Sequence, residues 1–221
     1  MKKILATLAV ILSFLILFAC ADPIEKRQTN LSELRDEVFA GGDEQVKITL
    51  CSGFREDPYI IDGQIPQNKT DFSVITVEGE FKDEELSYRL TVNGETHEGK
   101  LLKHPFKASY STEIALKTAV PPTIMLTGEG YAGNYELASV KTEEMITASE
   151  ALEIAEVRLE DEIDDMEEDG TLKAEIYVRL LANPISSEGG YYWYVAYVPA
   201  KYEIKAVLIH PITREIVAVR E

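Results

Sequence analysis

Five features of this chain have residue types and spacings that chemistry could use. Gly128-Glu-Gly130-Tyr-Ala-Gly133 matches G-x-G-x-x-G letter for letter. A dinucleotide loop of that kind must pass from a strand into a helix whose N-terminus takes the pyrophosphate. Residues Asn134 to Val140 are strand-like instead, so the pattern reads as a glycine-rich connection. Asp165-Met-Glu167-Glu-Asp169-Gly170 puts oxygens at positions one, three and five of a calcium loop and Gly at six. The twelfth position, which should carry a bidentate acid, is Ile176. Asp165, Glu167 and Asp169 are therefore weak metal candidates, and a solvated acidic helix end with a Gly stop is the competing reading. His97, His104 and His210 lack the i, i+4 helical spacing of a zinc pair. Ser52-Gly53 lacks the G-x-S-x-G elbow of a nucleophile. Cys51 follows the strand-like Val46 to Leu50 and reads as a small buried hydrophobe. These patterns indicate neither an enzyme nor a cofactor.

The aromatic run Tyr191-Tyr-Trp193-Tyr-Val195-Ala-Tyr197 suggests binding rather than catalysis. Period-two alternation puts Trp193, Val195 and Tyr197 on one face and Tyr192, Tyr194 and Ala196 on the other. One face must cover a helix. Tyr192 and Tyr194 on the other are partner-binding candidates, because exposed aromatics on a sheet suit a protein interface. The competing reading covers that face with the rest of the chain.

The elements that would position these residues begin after the N-terminus. Lys2 and Lys3 precede an uncharged apolar stretch from Ile4 to Ala19, the pattern of an export signal over residues 1–19. The stretch is shorter than the ~20 residues a spanning helix needs. Leu17-Phe18-Ala19-Cys20 resembles the lipobox of bacterial lipoproteins. That resemblance implies a lipid on Cys20 and an extracytoplasmic, membrane-anchored protein. Ala19-Cys20-Ala21 also fits an A-x-A site with cleavage after Ala21, giving plain secretion. With 39 acidic against 22 basic residues the formal charge is −17, which repels nucleic acid.

Residues 20–44 are polar, with one short amphipathic piece from Leu31 to Phe39, and read as a tether ending at Gly41-Gly42. Residues 45–142 alternate as strands do. Phe72 to Phe81 is one example, and Asn93-Gly94 between Leu86–Val92 and Thr96–Leu102 is a strong hairpin signal. An antiparallel β-sandwich or open barrel is expected there. At Thr147-Ala-Ser-Glu150 a capping box opens a helical stripe of Ala148, Leu152, Ala155, Leu159, Ile163 and Met166. Strands are expected over 173–181, 191–198, 202–209 and 215–219. The expected fold is α+β overall, the β-rich domain being followed, over residues 143–221, by one helix on a small antiparallel sheet.

The run TASEALEIAEVRL, a strand, and then YYWYVAYVPAKYEIKAVLIHPITREIVAV resemble the PepSY domain. The resemblance covers residues ~143–221 and rests on hydrophobic patterns. It departs at the last turn, where the family usually has Asp followed by Thr-Gly and this chain has His210-Pro-Ile-Thr213-Arg214. It implies a non-catalytic role in the envelope, restraining a peptidase. The expected function is a membrane-anchored binding module for an envelope protein. The alternative is a cation- or small-ligand-binding lipoprotein that uses the acidic helix end.

Overall fold

The computed structural model describes residues 22–185, 189–200 and 203–220. Cys20 and the expected export signal lie outside them. After helix α1 (Pro23–Lys26) come nine strands: β1 (Leu31–Gly42), β2 (Lys47–Glu56), β3 (Lys69–Glu78), β4 (Glu85–Val92), β5 (Glu95–Lys103), β6 (Ser109–Ile114), β7 (Thr123–Gly128), β8 (Tyr131–Glu136) and β9 (Ala138–Ser139). Helices α2 (Ala148–Arg158) and α3 (Glu160–Asp164) follow. The chain ends with β10 (Glu167–Glu168), β11 (Thr171–Leu172), β12 (Ala174–Ala182), β13 (Tyr191–Pro199), β14 (Lys205–Ile209) and β15 (Ile216–Arg220).

This overturns the expected α+β fold with a separate β-sandwich or open-barrel domain. The described chain is mostly strand, and one 13-stranded mixed sheet runs β15-β14-β13-β12-β1-β2-β3-β6-β5-β4-β7-β8, with β9 paired to β1. Strand β1 is the reason. Leu31, Leu34 and Arg35 pair in parallel with Ile176, Val178 and Arg179 of β12, while the same strand runs antiparallel to β2 from Glu33↔Arg55 to Gly42↔Lys47. Its C-terminal half also takes β9, at Phe39↔Ser139 and Ala40↔Ala138. Because only Leu137 separates β8 from β9, the path from β1 round to β8 returns to β1. Phe39, Leu50, Ile75, Leu90, Tyr110 and Ile124 form a buried cluster among these strands.

The segment expected as a tether is thus a core strand from Leu31 onward. Two register shifts explain its helical disguise, one against β12 between Leu31 and Glu33, the other against β2 between Leu34 and Glu37. Each bulge adds a residue and turns a period of two into a spacing of three or four. Leu31, Leu34 and Val38 therefore all reach one core although their spacing mimics a helix face. Gly53 of β2 accommodates the first part of this path, since a Cβ there would lie 1.9 Å from the Leu34 carbonyl oxygen. Residues just before β1 are also held down. Asp22 accepts a hydrogen bond from Ser149 at 2.7 Å, and the Arg27 guanidinium donates to Glu156 at 2.5 Å.

The capping box at α2 is complete: Thr147 Oγ1 accepts from the Glu150 amide at 3.2 Å, and the Glu150 carboxylate accepts from the Thr147 amide at 2.9 Å. Leu152, Ala155, Leu159, Ile163 and Met166 are buried with Ile176, Val178, Trp193 and Val195 of the sheet, and Ala148 packs at the edge of that cluster. The single long helix expected over this stripe is broken at Leu159 into α2 and α3.

Candidate functional site

Side-chain alternation along β12 sends Ile176, Val178 and Leu180 into the core beneath α2 and turns Glu175, Tyr177 and Arg179 to the opposite face. The β1 bulge brings Glu33 into register with Tyr177, and Arg35 with Arg179. From β2, Arg55 lies in backbone register with Glu33, and the loop 57–68 adds Tyr59. A polar centre results, to which β1, β2, β12 and this loop each contribute.

Glu33 is fully buried and saturated with donors. Arg35 reaches its Oε1 with Nε at 2.8 Å and Nη2 at 2.6 Å. Arg179 reaches its Oε2 with Nε at 3.0 Å and Nη2 at 2.6 Å. The Tyr59 hydroxyl donates to the same Oε2 at 3.1 Å and accepts from Arg179 Nη2 at 2.7 Å. Burial works against the charge of Arg35, but the facing Glu33 carboxylate outweighs it and raises the guanidinium above its ordinary value. Arg55 pairs with Glu113 and stacks at 4.6 Å from the Tyr59 ring centre and 4.9 Å from that of Phe72. With its oxygens so occupied, Glu33 is a brace rather than a base or nucleophile.

A second acid pair adjoins the brace. The Tyr177 hydroxyl lies 2.7 Å from Glu175 Oε2 and 3.3 Å from Glu56 Oε1. Burial pushes the Glu56 carboxyl up to about 7, helped by the neighbouring Glu175 charge. Burial also raises Glu175, whose Oε1 has no hydrogen-bond partner. The two acids thus hold a proton near neutrality that free carboxyls would have lost. Gly63 closes the loop over this side: with φ of 76°, a Cβ there would lie 2.3 Å from the Ala200 amide nitrogen.

Tyr192 and Tyr194 stand on the face of β13 away from α2, both half-buried. Tyr194 is in register with Arg179 and packs against the small cluster of Tyr177, Ala196, Val198 and Ala206. The Tyr192 ring meets His210 edge-on at 5.3 Å. Trp193, Val195 and Tyr197 line the core under α2, with Trp193 Nε1 donating to the Ile146 carbonyl at 3.0 Å.

The acidic candidates are not brought together. Asp165 follows the last residue of α3, and Glu167 belongs to β10, 3.7 Å from Arg27. Asp169 and Gly170 have φ of 52° and 69° and make the two-residue turn between β10 and β11. Among the described residues no group of three His, Cys, Asp or Glu side chains is arranged to hold a metal ion. The G-x-G-x-x-G pattern is the β7–β8 hairpin, with Gly128 opposite Tyr131. Ser52 is buried and its hydroxyl accepts from Ser73 at 2.9 Å and from the Thr118 amide at 2.8 Å. Cys51 is half-buried, and burial raises its thiol. His104 and His210 each use Nδ1 to accept backbone amides of their own turns.

The polar centre was not anticipated from sequence. Its trace is the charged pair Glu175 and Arg179 inside the otherwise apolar Ala174–Ala182, where alternation sends both to one face. Glu33 left no such trace, because its placement depends on the bulge. Among the described residues no helix is long and apolar enough to cross a membrane. No family model, no curated protein and no solved structure matches the chain.

Proposed function

We propose that this protein is a non-catalytic binding module, held by lipid on Cys20 at the extracytoplasmic face of a bacterial membrane, that engages another envelope protein. A peptidase is the partner class implied by the PepSY resemblance. The observation that carries this reading is the position of Tyr192 and Tyr194. They are half-exposed on the side of β13 that α2 leaves uncovered, on a rigid strand between β12 and β14. Tyrosines held this way offer large contact area with little entropy left to lose. The saturated Glu33 centre supports the same reading, since it stiffens the strand beside them instead of presenting a reactive group.

The test is photo-crosslinking in cells with a benzoylphenylalanine at position 192, followed by mass spectrometry of the adduct. One envelope protein should dominate, and co-purification of that protein with the chain lacking the crosslinker should be lost in Tyr192→Ser with Tyr194→Ser. Co-purification unchanged in that folded double variant would sink the tyrosine face as the interface. Replacing Cys20 by Ser should release the protein from the membrane fraction. Retention there would sink the lipid anchor.

A further inference from the structure

Strand β15 stands at one end of the sheet's pairing path, with β14 as its neighbour, whereas the other end curls back to β1 through β9. It reads Ile216-Val217-Ala218-Val219-Arg220, without proline and with its one charge at the end. Val217 and Val219 are 41% and 40% exposed. Sheet margins are usually blunted by charge or proline because bare edge amides and carbonyls invite another strand. Here the protection is only the shortness of the strand and one register shift against β14, between Leu208 and Ile209.

Beside this margin runs a groove of about 520 Å³ between α2 and β15, floored by Ile154, Val157 and Ile216. Val157 is 74% exposed, while Ala151, Leu152 and Ala155 of the same helix are buried. Arg214 pairs with Glu150 at 2.6 Å across one part of the groove. Glu153, exposed and with no ion-pair partner among the described residues, lines it together with Arg158.

We propose that β15 and this groove dock an extended segment of a partner protein in which apolar residues alternate with Lys or Arg. The segment adds to β15 as a further strand, lays its apolar side chains on Ile154, Val157 and Ile216, and brings a basic side chain to Glu153. Strand addition of this type draws affinity from main-chain hydrogen bonds and specificity from alternate side chains. The lining is balanced, Glu150 and Glu153 against Arg158 and Arg214, so the charge of the whole chain selects the occupant. A surface with formal charge −17 attracts a basic segment and repels a second copy of itself. The inference goes beyond the tyrosine face but rests on the same reading of the protein as a binding module.

The experiment pans a phage library of random twelve-residue peptides on the full chain, then measures the enriched peptides by fluorescence anisotropy and amide hydrogen exchange. Enriched sequences should alternate apolar and basic residues and protect the amides of 216–220. Val157→Lys, at a solvent-exposed position that leaves the fold intact, should weaken them at least tenfold, and Glu153→Lys should do the same through charge alone. Peptides that bind equally well to both variants, or that protect other amides, would overturn the groove while leaving the binding-module reading standing. No enriched peptide would overturn the groove as well, and crosslinking at position 192 would then decide the broader reading by itself. A dimer in velocity sedimentation that Val157→Lys abolishes would also overturn it, in favour of a second copy.

Discussion

Glu33 and Arg179 meet across the parallel strands β1 and β12, two guanidinium nitrogens lying 3.0 and 2.6 Å from one oxygen of a carboxylate that has no solvent exposure. Arg35 occupies the other oxygen. The one strand that both halves of the sheet share is therefore held by a carboxylate between two cations.

Removing the carboxylate charge should be costly, because it leaves Arg35 and Arg179 facing each other without compensation. Glu33→Gln is expected to lower unfolding free energy by about 3 kcal/mol. Urea denaturation measures this, and a loss under about 1 kcal/mol would show that water already screens the centre.

Acid should favour the fold at the Glu56–Glu175 pair. Glu56 has its folded pKa raised from 4.5 to about 7, so the folded state binds a proton more tightly than the unfolded chain does. The stabilisation is complete below about pH 4.5 and is lost as pH rises through about 7, with a magnitude on the order of 2 kcal/mol. Glu56→Gln keeps a neutral side chain beside Tyr177 and should flatten that part of the stability–pH curve. Equal slopes for the two proteins between pH 4.5 and 7 would refute the assignment.

At Gly53 the backbone of β1 passes too close for any side chain. A Cβ would sit 1.9 Å from the Leu34 carbonyl oxygen and 2.9 Å from its carbon, both main-chain atoms. Gly53→Ala should cost more than about 2 kcal/mol, since the bulge itself must move. A melting temperature within a degree of the parent would mean that β1 and β2 separate there readily.

Thr147→Ala removes the oxygen that accepts from the Glu150 amide, and a loss of about 1 kcal/mol is expected from chemical denaturation. Calcium should have no such effect. With Asp169 and Gly170 committed to a hairpin turn, millimolar calcium should leave the melting temperature unmoved. A rise of several degrees would revive Asp165, Glu167 and Asp169 as a cation site.

Local signals determined a good deal. Asn93-Gly94 can take two positive φ values in succession, so the β4–β5 hairpin was legible, and so were the Thr147 capping box and the two faces of β13. The lone Gly170, by contrast, read as a helix stop, because a turn between two-residue strands has no period to detect. The last turn puts Arg214 at φ 64°, a conformation that usually calls for Gly, held by its amide bonding the His210 carbonyl at 3.0 Å.

What the sequence determined by itself was therefore confined to neighbours along the chain: turns, caps and the alternation of strands whose residues follow an unbroken period. Tertiary structure alone decided that Leu31–Gly42 is a strand, that it joins β12 to β2, and that Glu33 is buried between two arginines. Two bulges erase the period of two in β1, and a parallel partner some 145 residues away leaves no mark on local spacing. A charged residue in such a strand looks like solvent-facing chain until the partners that neutralise it arrive from elsewhere in the fold.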